Sequence, residues 1–244
     1  MKYRKLAPFY DHIMNHVKYY EWANLIEAII KKYCNKQKIS ILELGGGTGT
    51  LGKQLKNKNC SYIGSDKSFD MSKEAIKKNL SFFCADARSL PTKKQFDLII
   101  FLYDGINYLL SLKDFKKVFY SVASCLKKSG LFLFDITTEA NSYRYFYDFI
   151  DYQECNDTSL IRHSFYNQNK SLQINDFTLF CPHNIKNNLY EKFTEHHVQK
   201  IFSPVQIKKV IPENIFSCIG IWDGYSMFRY SNNSERIHFL LQKM

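Results

Sequence analysis

Apolar residues recur at helical spacing in the first part of the chain. Between residues 8 and 35 they lie three or four positions apart with polar residues between them, the pattern of an amphipathic helix. The positions are Phe9, Ile13, Val17, Leu25, Ile26, Ile29, Ile30 and Tyr33. We predict one or two helices here, with a break at Tyr19, Tyr20 and Trp22.

From residue 39 onward, short β-rich runs alternate with helical stretches. Helices are predicted at Met71–Lys78 and Leu112–Leu126, the second capped by Gly130. The predicted strands cover residues 39–45, 62–66, 80–84, 96–102 and 131–136. Such alternation is typical of right-handed βαβ units. The sequence therefore predicts an α/β fold with a doubly wound sheet and helices on both faces.

The pattern changes again at about residue 138. Residues 138–199 carry short aromatic runs, such as residues 143–152, broken by Asn, Asp and Pro, which predicts an inserted cap of antiparallel strands. Ser203 then resembles a helix N-cap, with Pro204 opening a helix through about Ile211. Two closing strands are predicted at residues 215–228 and 236–243.

The composition fits one well-packed domain. The chain has 244 residues, 45% of them hydrophobic. No apolar run approaches the roughly 20 residues of a membrane-spanning helix, and the start of the chain lacks the apolar segment of a secretory signal. We therefore expect a cytoplasmic protein. The seven cysteines form no C-x-x-C pair, so we expect buried free thiols and no metal site.

The formal net charge is +11, which could favour nucleic acid or phosphorylated partners. The lysines, however, are spread as pairs along the chain and mixed with many asparagines, with no single basic block. A solvated basic surface is therefore the preferred interpretation, and nucleic acid binding stays an alternative.

The stretch from Glu43 to Gly49 contains the most specific motif. An acidic residue at the end of a predicted strand precedes glycines at Gly45, Gly47 and Gly49, which allow the backbone to turn sharply and approach a ligand closely. The nicotinamide fingerprint G-x-G-x-x-G fits imperfectly, because the third glycine falls at Gly49 and the next residue is Thr50.

Acidic residues also follow the next two predicted strands. Asp66 comes about 20 residues after the glycine loop, where acids on this fold accept hydrogen bonds from ribose hydroxyls. Asp86 would lie at the same edge of the sheet, within reach of an adenine amine. Any one of these acids could instead be a helix cap. Glu43, Asp66 and Asp86 together make three acids at one edge of the sheet. Such a site fits a nucleoside that has no phosphate group to neutralise.

The segments ILELGGGTGTL, YIGSDKSFDMS and FFCADARSLP resemble the first three motifs of class I S-adenosylmethionine-dependent methyltransferases. FDLIIFLYDGINYLL and LKKSGLFLFDITTEAN are similar to later segments of a bacterial small-molecule subgroup related to sugar-amine N-methyltransferases. The resemblance implies S-adenosyl-L-methionine as cofactor and a Rossmann-like, seven-stranded, mostly parallel sheet with an inserted antiparallel cap and an N-terminal helical lid. We interpret residues 1–244 as a single methyltransferase domain, with a lid (1–38), a cofactor-binding core (39–137), a cap (138–200) and a closing helix and strands (201–244).

The resemblance also implies roles for individual residues. Lys67 stands where an apolar residue usually packs on adenine, so its alkyl stem or Met71 is expected there. Gly46 replaces a common cysteine or alanine, with no expected effect. Glu43, Gly45 and Gly47 are expected to contact the methionine end of the cofactor, with Gly49 also in the loop. Asp66 is expected to bind the ribose, and Asp86 and Ala87 the adenine. The sulfonium is expected beside the main chain of Leu102 and Tyr103.

Methyl transfer from a sulfonium is an in-line displacement, so the protein must mainly align a nucleophile about 3 Å from the methyl carbon. Tyr10, Tyr103 and Trp22 are the candidates for the environment of the cationic methyl group, because aromatic faces attract positive charge. Ordinary core packing is the alternative for these rings. A hydroxyl acceptor would require a general base, whereas an amine acceptor needs only to be bound in its uncharged form.

Two polar clusters could supply such a base: His12 with His16, and Glu195-His196-His197 in the cap. We expect surface or structural roles for these histidines, which lack the spacing of a metal site such as H-E-x-x-H. The acceptor is expected to be an amine or hydroxyl of a small molecule bound by the cap. A tRNA base, a non-catalytic S-adenosylmethionine-binding partner protein and a nicotinamide-dependent reductase are the alternatives.

Overall fold

The computed structural model describes residues 3–34, 36–56, 60–184 and 189–244. Strands in the described chain are β1 (Ile39–Glu43), β2 (Cys60–Asp66), β3 (Phe82–Cys84), β4 (Phe96–Phe101), β5 (Leu126–Thr137), β6 (Asp148–Cys155), β7 (Thr158–Asn167), β8 (Leu172–Asn184), β9 (Leu189–Lys200), β10 (Phe216–Asp223) and β11 (Arg236–Lys243). Helices are α1 (Tyr10–Ile13), α2 (Tyr19–Tyr33), α3 (Thr50–Lys56), α4 (Phe69–Lys77), α5 (Leu112–Cys125), α6 (Glu139–Phe146) and α7 (Pro204–Lys208).

The larger sheet has seven strands in the order β10-β11-β5-β4-β1-β2-β3. Strands β1 to β5 pair in parallel, whereas β11 runs antiparallel to both β5 and β10. The predicted seven-stranded, mostly parallel, Rossmann-like sheet is confirmed. Because β1, β2 and β4 point the same way, their carboxyl ends meet at one edge, where open α/β sheets bind ligands.

The sheet is covered on both faces, as the apolar run from Leu98 to Phe101 of strand β4 shows. Leu98 and Ile100 face a cluster that contains Trp22 of α2, whereas Ile99 faces the opposite cluster, which contains Phe119 of α5. Successive side chains of a strand point to opposite faces, so an apolar run of this kind requires helices on both sides.

Strands β6 to β9 form a separate antiparallel sheet, in sequential order, between β5 and β10; we refer to it as the cap sheet. The antiparallel cap is confirmed, but the strand predicted at residues 143–152 is partly wrong. Glu139–Phe146 is helical, and its N-cap Thr138 accepts a hydrogen bond from the N–H of Asn141. The aromatic residues favour a strand by their β-propensity, but the N-cap at Thr138 begins a helix here.

Several local predictions are corrected by the structure. The N-terminal helices are separated at residues 14–18, so Tyr19 and Trp22 lie in the first turn of α2 and not at the break. Gly130 does not cap α5: Leu126 is already extended and starts β5, and the left-handed residue is Ser129 at φ 60°. Helix α7 begins at Pro204 with Ser203 as its N-cap, as predicted, and Ser203 also forms a capping box with Gln206. The helix ends at Lys208, earlier than expected.

Two expectations from composition can be compared with the structure. The described cysteines are free, but Cys125 alone among them is buried and Cys84 is exposed, because most lie at element ends and not in the apolar core. No helix in the described ranges is both long enough and apolar enough to cross a membrane.

Candidate functional site

A cavity of about 1090 Å³ lies over the carboxyl ends of β1, β2 and β4. The glycine loop and the segment after β4 form its floor, the N-terminal segment with α1 and α2 forms one wall, and α6 with the cap sheet covers it. Most of the predicted site residues line this cavity: Tyr10, Trp22, Glu43, Gly45, Gly47, Asp66, Lys67, Met71, Asp86, Ala87, Leu102 and Tyr103. The structure therefore brings together residues that are far apart in sequence. Their contacts with a ligand stay predictions.

The glycine loop is held close to the sheet. Gly45 has φ 60°, and a Cβ atom there would lie 2.7 Å from Cε2 of Phe101, so both its conformation and its surroundings require glycine. The N–H of Gly46 donates to the carbonyl of Ser65 at 2.9 Å. The loop therefore leaves its backbone open towards the cavity.

Gly49 is not among the residues that line the cavity. A Cβ atom at this position would lie 2.4 Å from Cδ1 of Leu80 and 3.1 Å from Cβ of Ala75. The glycine permits α3 to pack closely against neighbouring elements. The structure thus gives Gly49 a packing role, the third function of glycines in such loops, whereas its contact with the cofactor stays a prediction.

Asp66 lies at the end of β2, beside the loop. Its Oδ2 accepts a hydrogen bond from the N–H of Gly47 at 3.0 Å, and its Oδ1 accepts one from the N–H of Ser68 at 2.7 Å. Burial raises the pKa of this carboxyl, and the backbone donors oppose the rise. The side chain is thus fixed in place while it still lines the cavity.

Glu43 ends β1 beneath the loop and is 4% exposed. Burial raises its pKa to about 7, although the hydroxyl of Tyr62 donates a hydrogen bond to Oε2. A Cβ atom at Gly46 would lie 3.0 Å from that same oxygen. Glu43 therefore supports the loop from below, with part of its hydrogen-bonding capacity already used by Tyr62.

Asp86 accepts four donors. Its Oδ1 accepts from the backbone N–H and Nε of Arg88, both at 3.0 Å, and its Oδ2 from Nη2 of Arg88 at 2.6 Å and Nζ of Lys67 at 2.9 Å. The hydrogen bonds from Arg88 hold the pKa of Asp86 well below its usual range. Arg88 was missed in the sequence, although it follows Asp86 by two positions, because a basic residue in a loop carries no specific signal.

A buried ion cluster lies behind the segment that follows β4. Arg236 of β11 contacts Asp104 at 2.8 Å through Nη2 and Asp135 at 2.5 Å through Nη1. Gln199 of the cap sheet donates to Asp104 at 2.5 Å. Tyr103 and Asp104 both have positive φ, at 61° and 51°, a strained conformation that the cluster maintains. Sequence reasoning missed this cluster, because its charges come from three distant segments.

The predicted aromatic residues surround this cluster. The ring centres of Trp22 and Tyr103 are 6.0 Å apart, and the guanidinium of Arg236 lies 4.8 Å from the Tyr103 ring and 5.5 Å from the Trp22 ring. Tyr10 lies on the other side, where a Cβ atom at Gly47 would be 3.7 Å from its Cε1. The three rings therefore share the cavity, and Tyr10 lies over the glycine loop.

The histidines identified in the sequence differ in surroundings. His12 and His16 are both exposed, and His16 also lines the cavity. His196 is exposed and contacts Asp176 on the outer face of the cap sheet. His197 is 1% exposed and lies between Tyr108 and Glu195. Of the expected surface or structural roles, the surface role suits His12, His16 and His196, whereas His197 is buried.

The inner face of the cap sheet is polar. Residue pairing places Ser164 opposite Asn175, Asn175 opposite His197, and Gln173 opposite Gln199, so these side chains share one face. Gln173, Asn175 and Gln199 line the cavity, together with Arg162 and Phe177. The cavity therefore has an acidic and aromatic floor, and a roof of amide and basic side chains.

Residues 41–130 match a family model described as a methyltransferase domain. The chain is 29% identical over 249 residues to a Bacillus subtilis (strain 168) protein named "Putative methyltransferase YqeM", covering 100% of this chain and 98% of that protein. Its fold is similar to that of an S-adenosylmethionine-dependent methyltransferase from Clostridium acetobutylicum, with a TM-score of 0.81, 24% identity and 98% of each chain covered. It is also similar to the sugar N-methyltransferase KedS8 from a Streptoalloteichus species, with a TM-score of 0.76, 13% identity and coverage of 93% of this chain and 90% of that one.

Proposed function

We propose that this chain, which is an S-adenosylmethionine-dependent methyltransferase, transfers the methyl group to an amine or hydroxyl of a small molecule. The observation that carries the proposal is the single cavity described above, in which the glycine loop and Asp66 face a roof of amide side chains. The tRNA methyltransferase and the non-catalytic partner protein are kept as outcomes of the test.

The floor of the cavity fits the cofactor. Gly45 and Gly47 leave room for the methionine part, Glu43 supports them, and Asp66 offers carboxylate oxygens to the ribose hydroxyls. The cluster of Asp104, Asp135 and Arg236 has two acids for one base, so the surroundings favour a cationic sulfonium. When bound, the cofactor supplies an activated methyl group.

The adenine end requires one rearrangement. A carboxylate has about four lone-pair positions, and Asp86 already accepts four donors. Lys67 is the donor that can leave, because its side chain is 70% exposed. We infer that the adenine amine replaces Lys67 on Asp86, while Ala87 and the buried Met71 contact the ring.

The size of the cavity supports a second ligand. A pocket for one drug-sized ligand has a volume of about 300–1000 Å³, and this cavity has about 1090 Å³. The roof residues Gln173, Asn175 and Gln199 offer both donors and acceptors, as a small polyhydroxylated or aminated acceptor requires. The sugar N-methyltransferase among the structural neighbours is consistent with an acceptor of this kind, although its likeness extends to the fold alone.

The residues of the chain then align and enclose the reactants. Tyr10, over the glycine loop, and the main chain of Leu102 and Tyr103 would border the methyl group on two sides. The roof would hold the acceptor in line with the carbon–sulfur bond and exclude water. Positioning of this kind can lower the barrier of a reaction between two bound partners by about 7–11 kcal/mol.

Calorimetric titration with S-adenosylhomocysteine tests the proposal, with NADH and NADPH as controls. We expect tight binding by the wild type, loss of binding in Asp66→Ala, and unchanged binding in Asp70→Ala, a matched acid in the first turn of α4. Absence of binding by the wild type would contradict the cofactor site. Labelled S-adenosylmethionine is then offered with pools of amines, hydroxyl compounds and tRNA; labelling of tRNA alone would favour the RNA alternative, and binding without any transfer would favour the partner protein.

A further inference from the structure

A chain of hydrogen bonds runs from the cap sheet to the cavity. Nε2 of His197 lies 3.1 Å from Oε2 of Glu195, Nδ1 of His197 lies 3.0 Å from the hydroxyl of Tyr108, and that hydroxyl lies 2.5 Å from the hydroxyl of Tyr3. His197 and Glu195 are buried, with 1% and 7% of their side chains exposed, whereas Tyr3 and Tyr108 line the cavity. The chain thus connects a buried imidazole to the place where the acceptor would bind.

The chemistry of the groups fixes the direction of each hydrogen bond. An ionised carboxylate only accepts, so Nε2 of His197 must carry a proton. In the neutral imidazole Nδ1 is then an acceptor, and the hydroxyl of Tyr108 donates to it. The Tyr108 oxygen in turn accepts from the hydroxyl of Tyr3. In this state the chain can take up one proton from the cavity.

His197 is the only member of the chain suited to hold that proton. Burial raises the pKa of both Tyr3 and Tyr108, so neither exists as a phenolate at neutral pH. Burial would also raise the pKa of Glu195, but hydrogen bonds from His197 and from the N–H groups of Lys5, Leu6 and Tyr3 bring it below its usual value. Glu195 therefore stays ionised and balances the charge of an imidazolium.

We propose that Tyr3, Tyr108, His197 and Glu195 form a proton relay that deprotonates the acceptor, and that the acceptor nucleophile is consequently a hydroxyl group. This inference rests on the proposed function. As the oxygen–methyl bond forms, the sulfur–methyl bond breaks and its electron pair stays on sulfur. The hydroxyl proton passes to Tyr3, the Tyr3 proton to Tyr108, and the Tyr108 proton to Nδ1 of His197.

The relay is fully hydrogen-bonded before and after transfer. In the second state Nδ1–H of His197 donates to Tyr108, Tyr108 donates to Tyr3, and Nε2–H still donates to Glu195. The titratable groups that face His197 are Glu195, Tyr108 and Tyr3, and the ring of Phe177 packs at 5.2 Å. Because no buried polar group loses its partner, the proton can move without the cost of an unsatisfied hydrogen bond.

The first test needs no acceptor. Long-range ¹H–¹⁵N NMR spectra of the histidine rings are recorded at pH 8 on the protein saturated with S-adenosylhomocysteine, with His197→Gln to assign the signals. We expect protonated Nε2 and unprotonated Nδ1 in His197, and a changed Nδ1 shift in Tyr108→Phe, which leaves the Glu195 contacts intact. A doubly protonated ring, or a proton on Nδ1 alone, would overturn the relay. Failure to bind S-adenosylhomocysteine would instead count against the proposed function.

The second test measures methyl transfer against pH with the hydroxyl and amine pools. For the hydroxyl pool we expect His197→Gln and Tyr108→Phe to lower kcat by about 100-fold or more, the scale of general base catalysis. The affinity for S-adenosylhomocysteine should change little, and the pH dependence of the rate should differ from that of the wild type. His196→Gln, on the outer face, should match the wild type. Unchanged rates in His197→Gln, or methyl transfer to amines alone, would overturn the relay. If neither pool is methylated, the NMR spectrum of the His197 ring decides whether the relay exists.

Discussion

The carboxylate of Asp11 accepts a hydrogen bond from the hydroxyl of Thr48 at 2.5 Å. The same carboxylate accepts from the hydroxyl of Thr50 at 2.9 Å and pairs with Lys78 at 2.5 Å. Asp11 belongs to α1, whereas Thr48 lies in the glycine loop. These contacts fasten the N-terminal segment across the cavity, so entry and exit of a ligand beneath that segment should depend on them.

Replacement of Asp11 by Asn should speed the release of S-adenosylhomocysteine. The substitution removes the ion pair with Lys78 and weakens two hydrogen bonds, and because Asp11 is 49% exposed we expect a modest effect of about threefold. Stopped-flow fluorescence can measure the release, since Trp22 lines the cavity. Glu74→Gln, which removes the surface pair with Lys77, should release the ligand at the wild-type rate. Equal rates in all three proteins would contradict a role of the Asp11 contacts in ligand release.

Gly45→Ala should destabilise the protein and weaken ligand binding together. The added methyl group would meet the ring of Phe101 at 2.7 Å, in addition to the strain of a positive φ. Gly224 separates these effects, because it also has positive φ but no atom within 4 Å of the added Cβ. Gly224→Ala should cost about 1 kcal/mol of unfolding free energy, and Gly45→Ala clearly more. Equal losses in thermal denaturation would show that the contact with Phe101 is unimportant.

Glu43 should make stability depend on pH. Its pKa is raised from 4.5 to about 7, chiefly by burial, so the folded protein binds this proton more tightly than the unfolded chain. The contribution of the protonated Glu43 to the free energy of unfolding is complete below pH 4.5. It is lost as the pH rises through about 7, and the loss is on the order of 3 kcal/mol. Glu43→Gln should lack this loss, whereas the exposed Glu213→Gln should retain it. Denaturant unfolding between pH 5 and pH 8 measures the difference; parallel curves for wild type and Glu43→Gln would contradict it.

Arg236→Lys should be strongly destabilising, although the substitution retains the positive charge. A lysine ammonium cannot reproduce the geometry by which two guanidinium nitrogens contact Asp104 and Asp135 separately. One buried carboxylate would lose its partner, at a cost of about 3 kcal/mol. Arg144→Lys provides the control, because its pair with Glu235 is exposed. Urea unfolding should separate the two variants, and equal midpoints would exclude the cluster as a source of stability.

The parts of the site that sequence predicted share a local origin. The glycine loop follows β1, Asp66 ends β2 and Asp86 comes shortly after β3. Parallel strands place the residues at their carboxyl ends at one edge of the sheet. Position along the chain was therefore enough to bring them to the cavity. Gly49 shows the limit of this reasoning, because only its spatial neighbours Leu80 and Ala75 reveal that it serves packing.

Other features depended on contacts between distant segments. Asp104 comes shortly after the end of β4, which the sequence could indicate, but its pairing with Arg236 requires β11 to lie beside β5. His196 and His197 are adjacent in sequence, yet strand alternation points one to solvent and buries the other. A one-position difference in register would have exchanged their roles.

The sequence by itself determined the α/β sheet, the glycine loop and the acidic residues at the strand ends, because these follow from local apolar periodicity, from glycine conformation and from the direction of parallel strands. The tertiary structure alone decided which charges are paired and which histidine is buried. It decided, too, that Asp86 is shared between Arg88 and Lys67, and that Glu195 reaches across to the N-terminal segment. Such pairings depend on how the elements pack in three dimensions, for which the amino-acid pattern of a single segment contains no signal.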